Sequence, residues 1–214
     1  LNNKVLITGG TGYIGSRLIP ELIKNNFDVT ALVRKGSESK LPSSCKIVFG
    51  DALDNTTYEK YINGCDTFIH LIGVAHPGPF KKDKFNSIDL VSIQQAVPAA
   101  IKAGIKHFVY LSIAHPAPLM NDFIDVRLKG EELLRKSGIN SSFIRPWYVL
   151  GPEHYWPHLF LPFYKLFELI PATKEAALRL GLVKIDQIIN CITSSVQNPS
   201  EGIKIYDVRD IKEF

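Results

Sequence analysis

The sequence predicts an α/β fold, a doubly wound parallel sheet of about seven strands with a small aromatic-rich insertion towards the C-terminal end. Three observations carry that expectation. Short apolar runs alternate with longer helical patterns along the chain, the runs are solidly apolar as strands covered on both faces must be, and the first run leads straight into a glycine-rich turn and a helix. At 214 residues, 45% hydrophobic and 21% charged, the chain is long enough to bury a full core and too apolar to stay disordered. One domain over 1–214 is expected, with 146–180 as a lid on the substrate side.

The strands are placed at KVLIT (4–8), DVTALV (28–33), KIVF (46–49), DTFIHL (66–71), HFVYLS (107–112), SSFIR (141–145) and IKIYDV (203–208). Helical patterns fall near 13–25, 55–62, 84–103, 119–137 and 185–197, several closed by a glycine such as Gly104 or Gly138. Pro98 lies inside the pattern near 84–103 and should kink it. After Arg145-Pro146 the texture changes, with prolines at 146, 152, 157, 162 and 171 breaking a stretch dense in aromatics.

Charge and cysteine content narrow the function classes. The 25 basic and 21 acidic residues are spread along the chain, with no block that could track a nucleic-acid backbone. Cys45, Cys65 and Cys191 are odd in number and lack neighbours at metal-ligand spacing, so they read as thiols in a reducing compartment and no metal is expected. Lys4 leads into a strand without the order of a signal peptide, and a cytoplasmic location is expected. In LFLPFYKLFELIP (159–171), Lys165, Glu168 and Pro162 interrupt the apolar run well short of a bilayer span. Contact with a membrane surface stays open.

VLITGGTGYIG joins a buried strand to a helix, with two residues between Gly9 and Gly12 and two between Gly12 and Gly15. Their tasks differ: a tight turn, close approach of backbone to a pyrophosphate, and close packing of helix on strand. Thr11, Tyr13 and Ile14 complete the loop, and amides from Gly12 to Ile14 are expected to face the negative charge. The second strand ends in Arg34, where a binder of NAD would place an acidic residue. A guanidinium there suits a 2′-phosphate, which favours NADP with NAD as the alternative. The plainer reading of Arg34 is a solvated surface residue. Asp51, after the third strand, could accept from an adenine amino group with Ala52 beside the ring, or could simply close a turn.

TGGTGYIG, LVR, FGDALD, HLIG, AAIKAGIKHFVYLS and SGINSSFIRPWYVLGP, in this order and spacing, resemble the short-chain dehydrogenase/reductase superfamily in its atypical and extended branches, which hold NmrA-like proteins and sugar-nucleotide epimerases. The resemblance covers nearly the whole length. It implies a Rossmann fold that holds NAD(P), but not the substrate, since one fold hosts many chemistries.

In that superfamily a serine or threonine after the fifth strand polarises the substrate oxygen, a tyrosine moves the proton, and a lysine four residues later lowers the tyrosine pKa and holds the nicotinamide ribose. Ser112 matches the first. For the others the helix offers Asp125-x-x-x-Lys129 or Phe123-x-x-x-Arg127. The second is preferred, because the family's lysine stands four residues before the first of two glutamates, here Glu131. Neither register has a tyrosine, and Arg127 could hold the ribose but not relay a proton. His115 and Tyr148 are then the candidate proton donors, each with a plainer reading as a loop histidine and a pocket wall. Gly73 is expected to permit close passage of the cofactor, His70 to be a core residue, and Pro146 to lie beside the nicotinamide. The segment 155–170 suits an apolar ligand, a homodimer contact or a membrane surface. Two functions stay open: an NADP-dependent oxidoreductase or epimerase/dehydratase-like enzyme acting on a small molecule without the usual tyrosine, and a non-catalytic NAD(P)H-binding redox sensor or scaffold.

Overall fold

The structure, a computed structural model, describes residues 3–74, 78, 81–152, 175 and 178–214. Its frame is a seven-stranded sheet built from β1 (Lys4–Thr8), β2 (Asp28–Val33), β3 (Lys46–Phe49), β4 (Thr67–His70), β5 (His107–Leu111), β6 (Asn140–Ile144) and β9 (Ile203–Tyr206), in the order β3-β2-β1-β4-β5-β6-β9. Every neighbouring pair is parallel. The chain runs outward from β1 to β3, then returns to the other side of β1 at β4, where Thr8 pairs with His70. That reversal opens a crevice at the carboxyl ends of the strands, the usual place for a ligand in such a sheet.

Pleating divides the core in two. In β1, Val5 and Ile7 face a layer formed with α1 (Gly15–Lys24) and α6 (Ile185–Gln197), while Leu6 faces the opposite layer with Tyr58, Phe68, Phe108 and Leu134. The second layer is covered by α2 (Glu59–Ile62), α4 (Val91–Ala103) and α5 (Asn121–Ser137), and the chain ends in α7 (Val208–Lys212). Solid apolar runs in the sequence were therefore the right sign of a sheet buried on both faces.

Several details depart from the pattern. The helix expected from residue 13 starts at Gly15, because the Gly12 amide closes a turn on the Gly9 carbonyl at 3.0 Å. The segment expected as one helix near 55–62 divides into a 3-10 turn, Asn55–Thr57, and α2. Ahead of α4, a short turn α3 (Lys82–Lys84) passes through a π-helical stretch, Phe85–Leu90. Pro98 leaves α4 undivided; it and Gln94, whose carbonyl loses its partner, are both exposed to water. β7 (Tyr148–Leu150), inside 146–180, and β8 (Leu182–Lys184), just beyond it, form a separate parallel pair that the sequence reading missed. The whole of the aromatic segment 155–170 lies outside the described residues, as does everything from 153 to 174.

Among the described residues no helix is long and apolar enough to cross a membrane, and no cluster of His, Cys, Asp and Glu is placed to hold a metal. All three cysteines are free; Cys45 and Cys191 are buried and Cys65 half-buried. Burial pushes each thiol up, that of Cys191 to about 12.

Candidate functional site

The glycine loop sits at the crevice between β1 and β4. Gly9 has φ +78°, and a Cβ there would stand 2.8 Å from the carbonyl carbon of Leu71 and 3.1 Å from the Ile72 nitrogen, so both conformation and space demand glycine. A Cβ on Gly15 would come within 2.6 Å of the Gly10 Cα, which is the close helix-on-loop packing expected of that position. Gly12 differs. It is exposed, and a Cβ there would meet only the Gly9 carbonyl oxygen, at 3.2 Å, leaving its outer side open for another molecule. Ile14, the residue before α1, gives no side-chain cap to the helix. The helix start therefore offers backbone donors and a partial positive charge to an anion, and a pyrophosphate fits it. The Gly12 amide, engaged by Gly9, is not one of those donors.

Side chains of the loop point away from this opening. Tyr13 donates to the Pro152 carbonyl at 3.0 Å and lies under the Arg17 guanidinium, 4.2 Å from ring centroid to Cζ. Ile14 packs on the core below, and Thr11 is half-buried. Arg34 follows β2 directly, is exposed, and has no carboxylate partner among the described residues. Asp51 is also exposed; one carboxylate oxygen accepts from the Leu53 amide at 3.0 Å, which makes it part of a turn, and Ala52 packs against the core beside it.

On the other side of the crevice a chain of buried polar groups runs beneath the strand ends. The Thr8 hydroxyl lies 2.9 Å from His70 Nδ1, His70 Nε2 lies 3.1 Å from Ser92 Oγ, and Ser92 donates to the Asp89 carbonyl at 3.0 Å. Because the Ser92 proton goes to Asp89, His70 donates through Nε2 and accepts from Thr8 through Nδ1. Burial, aided by the Arg127 charge, lowers its pKa to about 3, so it is a neutral core histidine. Asp89 continues the chain to Arg127, whose Nη2 lies 2.7 Å from Asp89 Oδ1 and whose Nη1 donates to the Leu111 carbonyl at 2.8 Å. Gly73 stands over this pair. A Cβ on it would collide with Arg127 Nη2, so the room its missing side chain leaves is filled by the guanidinium rather than by a ligand.

Ser112 and Arg127 were read as facing the cofactor or substrate. The structure commits both inwards. The Ser112 hydroxyl donates to Glu131 Oε1 at 2.6 Å, and Glu131 also holds Arg145, whose Nε lies 2.8 Å from the same oxygen. Arg145 reaches Asp207 at 3.6 Å with its other nitrogen. Successive residues of an extended chain face opposite ways. Ile113 accordingly turns to the side of Phe123 and packs in one apolar cluster with it, Phe85, Ile124 and Val126, the Phe85 and Phe123 rings 4.9 Å apart. Ile113 and Phe123 thus share one apolar face, on the side opposite to the Ser112 hydroxyl.

Two titratable groups stand at the outer rim. His115 is half-buried, its Nε2 has no hydrogen-bond partner among the described residues, and burial together with Arg145 lowers its pKa. Arg179 ties this loop from outside, Nε donating to the Pro116 carbonyl at 3.1 Å. Tyr148, half-buried at the start of β7, has its ring edge on Trp147 at 5.5 Å. Pro146 is buried, and its carbonyl accepts from the Ala114 amide at 3.0 Å, which fixes the β6 exit against this loop.

Sequence reasoning missed Asp89, Glu131, Arg145 and Arg179. A usable signal existed for one of them, Glu131. Arg127 and Glu131, one helical turn apart, lie among Phe123, Ile124, Val126, Gly130 and Leu134 on the buried face of α5, and buried charges must find partners.

Comparison with known proteins agrees with the fold. A family model described as NAD(P)H-binding matches residues 9–154. The chain is similar to a ceramide reductase of Caulobacter vibrioides, 25% identical over 150 residues that make up 69% of this chain and 47% of the relative. It is 28% identical over 173 residues to an NmrA-like family domain-containing protein of Dictyostelium discoideum, covering 73% of this chain and 55% of that one. The chain thus spans about half the length of these curated relatives. Its fold is like that of the Bordetella bronchiseptica enzyme WbmH in complex with NAD+, with a TM-score of 0.70 over 95% of this chain and 75% of that one at 20% identity.

Proposed function

The chain belongs to the NAD(P)H-binding family, and from that premise we propose that it holds NADP(H) and works as an oxidoreductase or epimerase/dehydratase-like enzyme without the Tyr-x-x-x-Lys pair. The observation that carries the proposal is the cradle at Gly12, open on its outer side above a helix start with no side-chain cap. In this reading Thr11, Tyr13 and Ile14 hold the pyrophosphate through their backbone, Gly9 and Gly15 shape the loop, and Gly12 leaves room for the pyrophosphate to approach. Arg34 takes the 2′-phosphate, Asp51 and Ala52 flank the adenine, and Gly73 and Pro146 border the nicotinamide end.

A nicotinamide bound there would supply or accept a hydride. A reduced carbonyl then needs a proton, and His115 and Tyr148 are the candidates at the rim. Since burial and Arg145 hold the His115 pKa below its ordinary 6.5, the protonated ring becomes commoner as the solution is acidified. Reductive turnover through His115 should therefore rise as pH falls below 6.5. Ser112 keeps the rim in shape through Glu131. The described residues at 146–152 are assigned to the substrate side.

The test is oxidation of NADPH with a panel of carbonyls, quinones and flavins. Turnover that His115→Asn or Tyr148→Phe reduces at least about tenfold, the size of a modest proton-transfer contribution, supports the proposal. Absence of NADPH oxidation across the panel refutes it.

A second reading, a non-catalytic NAD(P)H-binding sensor or scaffold, is favoured by the packing of Ile113 with Phe123 and by the commitment of Ser112 to Glu131. It expects NADP(H) to raise the melting temperature without turnover. If NADP+ and NADPH bind identically, sensing fails, since a ligand shifts only states it distinguishes.

A further inference from the structure

The Arg127 guanidinium touches the rims of two strands from below. It is 4% exposed, donates to the Leu111 carbonyl at the end of β5, and pairs with Asp89, whose second carboxylate oxygen accepts from the Val74 amide at 3.0 Å beyond the end of β4. Gly73 lies directly over the pair: a Cβ there would collide with Nη2 and stand 3.1 Å from Asp89 Oδ1. Gly73 itself is exposed, so one buried ion pair presses on the underside of a rim whose outer side is open. Asp89 belongs to the π-helical stretch Phe85–Leu90, a geometry used in short pieces and often near functional sites. A buried ion pair is a poor source of net stability, because desolvation offsets the attraction; what it supplies best is a fixed arrangement.

We propose that Arg127 and Asp89 are positioning residues that set the height of the Gly73–Val74 rim under the nicotinamide half of the dinucleotide, without touching the cofactor themselves. The inference rests on the NADP(H) reading above. A doubly wound sheet binds a dinucleotide with one half on each β-α-β-α-β unit. Here the β1–β3 unit carries the glycine loop and Arg34, whereas Gly73, Leu111 and Arg127 belong to the β4–β6 unit. The two halves of the cofactor should then depend on different residues, and the Arg127 pair should matter to only one.

The experiment compares NADPH with 2′-phospho-ADP-ribose, which lacks the nicotinamide, on the wild type, Arg127→Met, Gly73→Ala and the double variant. Each single change should weaken NADPH about tenfold, leave 2′-phospho-ADP-ribose within about twofold, and shift the emission maximum of bound NADPH. The double variant should be no weaker than the worse single one, since both disturb the same contact. Should Arg127→Met fail to fold, Gly73→Ala retains both charges and tests the same contact. Parallel weakening of both ligands, or NADPH binding by Gly73→Ala equal to wild type, overturns the inference. If the wild type binds neither ligand, the NADP(H) reading itself falls.

Discussion

Arg34 and Ser112 are single residues with opposite fates. Arg34 stands exposed at the end of β2 with no carboxylate partner among the described residues, where a 2′-phosphate would find it. Arg34→Asp should weaken NADP(H) by about tenfold or more while changing NAD(H) little, since a charged hydrogen bond is worth about 1.5–3 kcal/mol. Competitive titration of the two cofactors checks this; equal loss for both would show that Arg34 is not the phosphate contact. Ser112 was legible as a serine at the right distance from β5, but not the direction of its hydroxyl. That direction depends on Glu131 reaching it from α5, nineteen residues away. Ser112→Ala should cost about 1–3 kcal/mol of stability by stripping a donor from a buried carboxylate. Urea unfolding measures that cost. A variant as stable as wild type but without turnover would instead place Ser112 in the chemistry.

At the scale of elements, α5 is where sequence and structure part. Its length and its closing glycine were readable, and so was the lack of tyrosine in either register. What could not be read was that Arg127 and Glu131, four residues apart, each anchor a different buried ion pair, to Asp89 and to Arg145. Those partners lie 38 and 14 residues away, and no local periodicity marks them. Glu131→Gln should leave Arg145 less well neutralised and destabilise the fold by about 3–5 kcal/mol, the usual cost of breaking a buried pair. Thermal unfolding would show it, and an unchanged midpoint would mean that Asp207 alone holds Arg145. The strands β7 and β8 escaped for a simpler reason: three residues each are too few to show a pattern. The π-helical stretch Phe85–Leu90 likewise has no composition that separates it from an ordinary helix.

For the whole molecule, the strand positions and the doubly wound order followed from apolar runs and connections, because a sheet buried on both faces leaves a strong signal in composition. The same burial makes the fold sensitive to acid. His70 and His107 are neutral in the folded chain, their pKa values lowered by burial to about 3 and about 4 from 6.5. Between pH 6.5 and 4 the unfolded chain takes up protons on both that the folded chain refuses. Stability is therefore fully present above pH 6.5 and falls with pH below it, by about 1.4 kcal/mol per pH unit for each histidine. Urea titrations at pH 7 and pH 5 should show the drop, with a shallower slope in His107→Gln. A flat profile would mean that these rings take up protons in the folded chain as readily as in the unfolded one.

The cofactor cradle can be probed with little disturbance to that fold, because Gly12 is exposed and its missing Cβ faces only the Gly9 carbonyl oxygen. The deciding measurement is a nicotinamide-fluorescence titration of the wild type and Gly12→Ala with NADPH. Saturable binding by the wild type, weakened at least about tenfold in Gly12→Ala at an unchanged melting temperature, is the expected result, since a methyl group there occupies the pyrophosphate's approach. Binding by Gly12→Ala as tight as by the wild type would contradict a dinucleotide held on this loop.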